Sequence, residues 1–535
     1  MIMKMPKYLQ KGVLLLPEHF PFCKNRFYRL CRCVFFWCTA LSFSLLAVCS
    51  AVVTAYFPAD YTEIPFLSVS ALPWVALGCG AACAAGVWLV RRLRRVPPRT
   101  LKLAACLCVF FISAVWAWFN GAAPEADRAM VCAGAGGLLA GDYSLLRPLA
   151  YYSQFPYQLG TTLWAALLAQ LFGTGHHFFA FEVCNALFAA VLTWFLLGIT
   201  QLLTESRAAL IAGAALCVAT FPTALLSTFI YGTLASAACC AGAVYYAMQA
   251  VRSGRWRCYF AAGGLMALAM LAKPNSAVFL VGLGLLYMLA ALRQKKLRPL
   301  AGLALAVALC LAASEAMLLC MEAVSGYDLH SGEPFAAWVA MGLQEGPLGP
   351  GWFNQYNDIL YVLHQGDGAA ITAEAVEMIK ARCLVFLRQP SYAAYFFGLK
   401  TLTQWCEPTY AVFWTSRSAL LESLAPAAVR AFYAGPVHHA AVFAADVVQA
   451  LTYAGAALAL WLRRRSLSAE ALVPAVIVFG GLVFHTFWEA KSLYIWSYAI
   501  MMIPYAAAGL PAAYSALRLR WVRYKASAGR SAERT

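Results

Sequence analysis

A chain of 535 residues that is 63% hydrophobic and only 12% charged is not a water-soluble globule, whose apolar content is ~45–50%. The formal net charge of +17 does not point to nucleic acid, because the basic residues stand in short clusters beside apolar runs, where they set orientation in a bilayer. The expected fold class is an all-α polytopic membrane protein, with the lipid bilayer as a partner and no nucleic acid.

Residues 1–100 read as a basic N-terminus followed by two spans. Lys4, Lys7, Lys11, Lys24, Arg26 and Arg29 precede an apolar run at 31–56. That run is long and has no clear small-residue cleavage site, so it reads as a retained span and not a signal peptide. A second run covers 72–90, and Arg91, Arg92, Arg94, Arg95, Arg99 and Lys102 follow it. Further runs lie at 101–119, 178–203, 206–224, 230–250, 258–272, 276–293, 300–321, 438–462, 471–487 and 493–515. Most approach the ~20 residues needed to cross ~30 Å of hydrocarbon. The clusters at Arg252–Arg257, Arg293–Arg298, Arg463–Arg465 and Arg518–Lys525 can all be cytoplasmic together. This requires that 159–173 and 391–413 do not cross fully, and it gives roughly twelve spans with both termini inside.

The expected organisation is then 1–100, a core 101–322 with a first outer loop at 120–177, a large outer loop 323–437, C-terminal spans 438–517 and a basic cytoplasmic tail 518–535. Two tight outer turns, Ala272–Asn275 and Trp488–Lys491, share the outer face with the loops. No six-plus-six repeat of the kind common in transporters is apparent. Glu315 and Glu182 are the few acids expected within the spans. The 19 cysteines lack metal-ligand spacing and mostly sit in apolar runs as small hydrophobes; no disulfide framework is expected, although Cys383 and Cys406, in the outer region, could pair. Residues 372–388 read as an amphipathic surface helix, and Gly349–Asn354 as a turn.

Transfer of a sugar from a lipid phosphate needs a carboxylate to activate the acceptor, cations to hold the leaving phosphate and aromatic walls to bind the moiety. Each is present on the expected outer face. In Pro124-Glu125-Ala126-Asp127-Arg128, Asp127 is the expected catalytic acid and Glu125 the second. On a helix the two diverge by about 200°; in an extended loop they share a face. The plainer reading leaves both as solvated loop acids, and the role of Arg128 stays open. Lys273, before Pro274, breaks the cytoplasmic bias of the other cations. It reads as a phosphate ligand or as a lysine snorkelling to headgroups, and Lys491 has the same two readings. Glu489 and His485 form a polar group with Lys491, although a lone histidine there is more often a packing residue. Tyr157 and Gln158 open the short apolar helix; tyrosines at that depth are more often interfacial belt residues. No GxxxxGKS, HExxH or GxSxG motif occurs, which removes the usual support for nucleotide hydrolysis, zinc proteolysis and serine hydrolysis.

The fragments PEADRAMV, AGDYS, YYSQFPYQLG with LFG, LAKPN, EPFAAWVAMGL with PGWFN, LKTLTQWCEPTY and FWEAKSLYIWSY occur in that order. This order resembles bacterial GT-C glycosyltransferases related to the dolichyl-phosphate-mannose protein mannosyltransferases, glycosyltransferase family 39-like, over about residues 101–515. The resemblance implies a GT-C-type membrane enzyme with a polyprenyl-phosphate-linked sugar donor and an acid of the first outer loop as base, a position that Asp127 matches. It also implies inversion at the sugar carbon and no metal or other cofactor. The mannosyltransferases present an adjacent Asp-Glu pair where this chain has Glu-Ala-Asp, which counts against protein O-mannosylation. The two spans before residue 100 are a second departure. The expected acceptor is an envelope glycan, lipid or protein on the extracytoplasmic face of the cell membrane; a flippase of envelope lipids and an envelope-polymer polymerase or ligase are the alternatives.

Overall fold

All twelve apolar runs are largely helical in the computed structural model, which describes residues 25–57, 63–70, 72–175, 177–421 and 425–532. The basic residues Lys4, Lys7, Lys11 and Lys24 lie outside the described residues. Among the described residues, ten helices are long and apolar enough to cross a membrane: Arg26–Val52, Leu72–Leu93, Pro98–Asn120, Phe178–Leu203, Thr233–Ser253, Pro274–Gln294, Arg298–Ser325, Gly435–Leu462, Ala469–Phe487 and Ser492–Tyr524. An eleventh span is broken, Arg207–Ala219 meeting Phe221–Thr228 at 50°. Pro222 stands at the start of the second piece, where its missing N–H and its ring stop the first helix from continuing. The twelfth run is the helix Trp256–Ala272, 17 residues long.

The segment 159–173 forms the helix Leu159–Phe172, whose 14 residues reach only about 21 Å. The segment 391–413 begins with the helix Pro390–Trp405 of 16 residues. That helix buries Phe396, Lys400, Thr403, Gln404 and Trp405, so one face is inside the protein and does not lie on a membrane surface. The expected amphipathic helix spans Gly368–Arg388 and buries only Ile371 and Ala375. The turn at 349–354 belongs to a small hairpin pairing Glu345–Gly346 with Gly349–Pro350. A second ribbon, Val53–Tyr56 against Phe66–Val69, joins the first two spans.

The basic loops gather at one end of the bundle. Arg293 pairs with Glu470 at 2.8 Å, and Tyr28 donates to the same carboxylate. Arg32 donates to Leu467 O at 2.6 Å, Arg463 to Leu203 O at 3.1 Å, and Arg298 to Gly254 O at 2.6 Å. Helices that start there, such as Pro98–Asn120 and Trp256–Ala272, deliver their C-termini to the other end.

Two expectations need correction. Cys383 is exposed, Cys406 is buried, and both are free. The acids within the spans include Asp446 besides Glu182 and Glu315: it is buried and accepts from Thr54 at 3.0 Å, while Glu470, in the first turn of Ala469–Phe487, is buried and pairs with Arg293. Glu315 itself is exposed and sits 3.0 Å from His330. Single charges in long apolar windows are easily averaged away, and here Asp446, Glu470 and Glu315 have each found a partner.

Close backbone approach seats one turn of the opposite end. A β-carbon on Gly160 would stand 2.0 Å from Leu271 O, and one on Gly232 would stand 1.9 Å from Ala272 O. Only glycine lets the helix Leu159–Phe172 and the start of Thr233–Ser253 touch the end of Trp256–Ala272, where Lys273 emerges.

Candidate active site

The helix Pro98–Asn120 ends at Gly121, whose φ of 64° reverses the chain. Ala126 then takes a φ of 49°, an uncommon conformation for a residue with a side chain, and the helix Asp127–Ala140 starts immediately after it. Asp127 therefore stands in the first turn of a helix, where unpaired N–H groups favour negative charge. Its neighbours Glu125 and Arg128 meet at 3.8 Å.

These residues open onto a cavity of about 640 Å³, within the range of small-molecule sites. It brings together seven of the expected residues: Glu125, Asp127, Arg128, Tyr157, Gln158, Glu489 and Lys491. They come from the first loop, the start of Leu159–Phe172 and the turn between the last two spans. Tyr151, Phe155, Phe229, Tyr231, Trp338, Phe353, Trp414 and Tyr494 supply aromatic walls.

Lys273 lies one layer deeper than expected. Its ammonium donates to Thr233 Oγ1 at 3.3 Å and faces the rings of Tyr494 at 4.9 Å and Tyr231 at 5.8 Å, two tyrosines that line the cavity. It borders a small adjoining pocket that shares Tyr494 with the main one. His485 lines neither. It is fully buried, with Nδ1 3.5 Å from the Glu489 carbonyl and its ring against Tyr494 and Tyr498. The geometry makes His485 a packing residue behind the Glu489 turn.

Two guanidinium groups flank Glu125, that of Arg128 at 3.8 Å and that of Arg417 at 3.6 Å. Arg128 is buried over the Phe229 ring at 5.2 Å, and burial lowers its pKa to about 10. Arg417 stacks on Trp414 at 4.3 Å. Lys491 pairs with Glu63, contributed by the loop between the first two spans. Burial opposes the Lys491 charge, but Glu63 and Glu489 outweigh it and its pKa is raised. Burial pushes Glu489 up to about 8 against the pull of Lys491. Burial, aided by repulsion from Lys491, lowers Lys273 to about 8.

The opposite wall is rich in acceptors. Gln154 Nε2 donates to Glu333 Oε2 and to Asp358 Oδ1, each at 2.9 Å. Asn357 Nδ2 reaches Glu333 Oε2 at 3.4 Å. Glu333 Oε1 and Asn357 Oδ1 are buried without a hydrogen-bond partner, and burial raises Glu333 to about 7. Asn357 and Asp358 face the cavity. Beneath it, the buried Lys400 ammonium donates to Gly342 O at 2.5 Å and Trp488 O at 2.7 Å, tying the large loop to the 488–491 turn.

Glu63, Arg417, Glu333, Asn357 and Asp358 escaped the reading of the sequence. Arg417 carried the same signal as Lys273, a cation in a segment assigned to the outer face. Glu333 opens one of the fragments that carried the resemblance. Nothing in the sequence marks Glu63, Asn357 or Asp358. Among the described residues, one group of potential metal ligands comes within 4.8 Å, Glu322, Asp328 and His330; none of the three lines the cavity.

Residues 159–317 match a family model described as dolichyl-phosphate-mannose-protein mannosyltransferase. The match covers 159 of the 535 residues. The matched segment includes the helix after Gln158, together with Tyr231 and Lys273; it begins after Glu125, Asp127 and Arg128 and stops before Glu333, Arg417 and Lys491. No curated protein matches the chain. Among solved structures, ArnT from Cupriavidus metallidurans bound to undecaprenyl phosphate is similar at 14% identity, over 77% of this chain and 78% of that one, with a TM-score of 0.34.

Proposed function

We propose that the protein moves a monosaccharide from a polyprenyl-phosphate donor to an envelope glycan, lipid or protein on the extracytoplasmic face of the cell membrane. The observation that carries this reading is the gathering of Asp127 with Arg128, Arg417 and Lys491 on one aromatic-walled cavity. The basic loops lie at the far end of the bundle. With those loops cytoplasmic, the cavity opens outward, where lipid-linked sugar would reach it from the outer leaflet.

In this mechanism Asp127 accepts the proton of an acceptor hydroxyl as its oxygen attacks the anomeric carbon. The bond from that carbon to the phosphate oxygen breaks, and its electron pair leaves with the lipid phosphate. Arg128, Arg417 and Lys491, whose side chains are largely shielded from solvent, stabilise the charge that develops there. Attack opposite the leaving phosphate inverts the anomeric configuration. The wall residues Asn357 and Asp358, backed by Gln154 and Glu333, suit a ligand that brings hydrogen-bond donors, such as the hydroxyls of a sugar or acceptor.

A mass-spectrometric screen of purified, detergent-solubilised protein against a panel of polyprenyl-phosphate sugars tests the reading. The expected result is release of polyprenyl phosphate with a matching glycosylated product for at least one donor. Turnover of none, with a folded protein and envelope extracts as acceptor, would end the proposal. Orientation is tested separately by labelling of a cysteine placed at Lys491 in intact cells. Labelling only from the cytoplasmic side would overturn the outer-face assignment.

A further inference from the structure

The two spans ahead of residue 100 reach the cavity. Their connecting ribbon is held at three points, two on the large outer loop and one on the span Gly435–Leu462. Ala55 N donates to Cys406 O at 2.8 Å, Thr54 Oγ1 donates to Asp446 at 3.0 Å, and Phe57 packs edge-on against Trp352 at 5.6 Å. Phe57 and Trp352 share a buried cluster with Ala411 and Ala490. Ala490 stands between Glu489 and Lys491, and its N–H bonds to Gly351 O at 2.7 Å. Beyond Phe57, the same connection presents Glu63, whose carboxylate holds the Lys491 ammonium. That ammonium also lies over the Trp414 ring at 5.0 Å.

We infer that Glu63 is a built-in competitor for the donor phosphate: it occupies Lys491 in the donor-free protein and yields that cation when lipid phosphate enters. This rests on the reading of the cavity as a polyprenyl-phosphate site. Both side chains line that cavity and are largely shielded from water, at 14% exposure for Glu63 and 17% for Lys491. A phosphate oxygen and a carboxylate oxygen make the same kind of charge-assisted contact to an ammonium, so the two anions compete for it. The N-terminal spans are thereby a positioning module: the ribbon docks through Phe57, and Glu63 sets how readily Lys491 accepts an anion.

The test is titration of full-length, detergent-solubilised protein with undecaprenyl phosphate, followed by tryptophan fluorescence, with Trp414 beside Lys491 as the local reporter. Glu63→Gln is expected to tighten binding by about tenfold, the size of one charge-assisted contact, and Glu63→Asp to restore wild-type affinity. Phe57→Ala leaves every charge in place but loosens the ribbon, and is expected to shift affinity in the same direction as Glu63→Gln. Wild-type or weaker binding by Glu63→Gln would overturn the inference, and wild-type binding by Phe57→Ala would overturn the role of the ribbon. Lys491→Met separates the two levels of the argument. Loss of affinity in Lys491→Met beside an unaltered Glu63→Gln defeats only the competition. Unaltered affinity in Lys491→Met defeats the phosphate site itself.

Discussion

Replacing Asp127 and Glu125 separately by their amides distinguishes two carboxylates that lie two residues apart. No ion pair among the described residues involves Asp127, and it faces the cavity from the first turn of its helix. A positioned general base contributes ~10²–10⁴ in rate, or about 3–5 kcal/mol of barrier, so Asp127→Asn should lose that much kcat with little change in the donor KM. Glu125 is committed elsewhere. At 3.8 Å and 3.6 Å from two guanidinium groups, it has a gross attraction of ~4–5 kcal/mol to each at an effective dielectric of ~20. Its side chain is 32% exposed, so the net value of each pair is nearer ~1 kcal/mol. Glu125→Gln frees Arg128 and Arg417 for the donor phosphate, which should lower the donor KM and change kcat by less than about tenfold. Initial rates of transfer in detergent, measured across donor concentrations, give both parameters. Wild-type turnover by Asp127→Asn, or a loss of kcat in Glu125→Gln as large as that in Asp127→Asn, would refute this division of roles.

Binding of undecaprenyl phosphate should weaken between pH 7 and pH 9, because Lys273, held at about 8 by burial, loses its charge as Glu489, also held near 8, gains one. Lys273→Arg, charged throughout this range, should remove part of the alkaline loss and Glu489→Gln the rest; a profile unchanged by both would show that neither group senses the ligand. Glu333, raised to about 7 by burial, binds more protons folded than unfolded between its ordinary value and 7, so its contribution to stability falls as pH rises through that window. Glu333→Gln should therefore raise the thermal midpoint at pH 8 and leave it nearly unchanged at pH 4.5, and equal shifts at both would contradict the assignment. Gly232→Ala drives a β-carbon to 1.9 Å from Ala272 O, a clash that should cost about 1–3 kcal/mol and disturb the Lys273 turn. Gly136→Ala, with nothing within 4 Å of the added carbon, is the neutral control by thermal unfolding in detergent.

The spans were legible because each is a long apolar run with basic residues at one end, and both signals survive averaging over a window. The same averaging hid Asp446 and Glu470, whose cost is met by Thr54 in one case and by Arg293 and Tyr28 in the other, partners far away in the chain. Charge counting also assigned Asp127, Gln158 and Lys491 to one face, and the three line one cavity. Depth was beyond its reach. Lys273 and His485 belong to the turns expected at that end, yet one sits behind two tyrosine rings and the other against the Glu489 carbonyl. Whether a side chain reaches a cavity depends on which aromatic ring stands in front of it, and that ring comes from a different part of the chain. The large loop shows the same limit. Asp358 and Arg417 line opposite sides of one site only because Gln154 and Glu125, both from the first loop, meet them there. Glu63 extends this to the N-terminus, since the two spans that have no counterpart in the family resemblance are the ones that deliver an acid to Lys491. A resemblance transfers the residues that relatives share. A group supplied by the departure from the pattern becomes visible only when packing places it beside the shared ones.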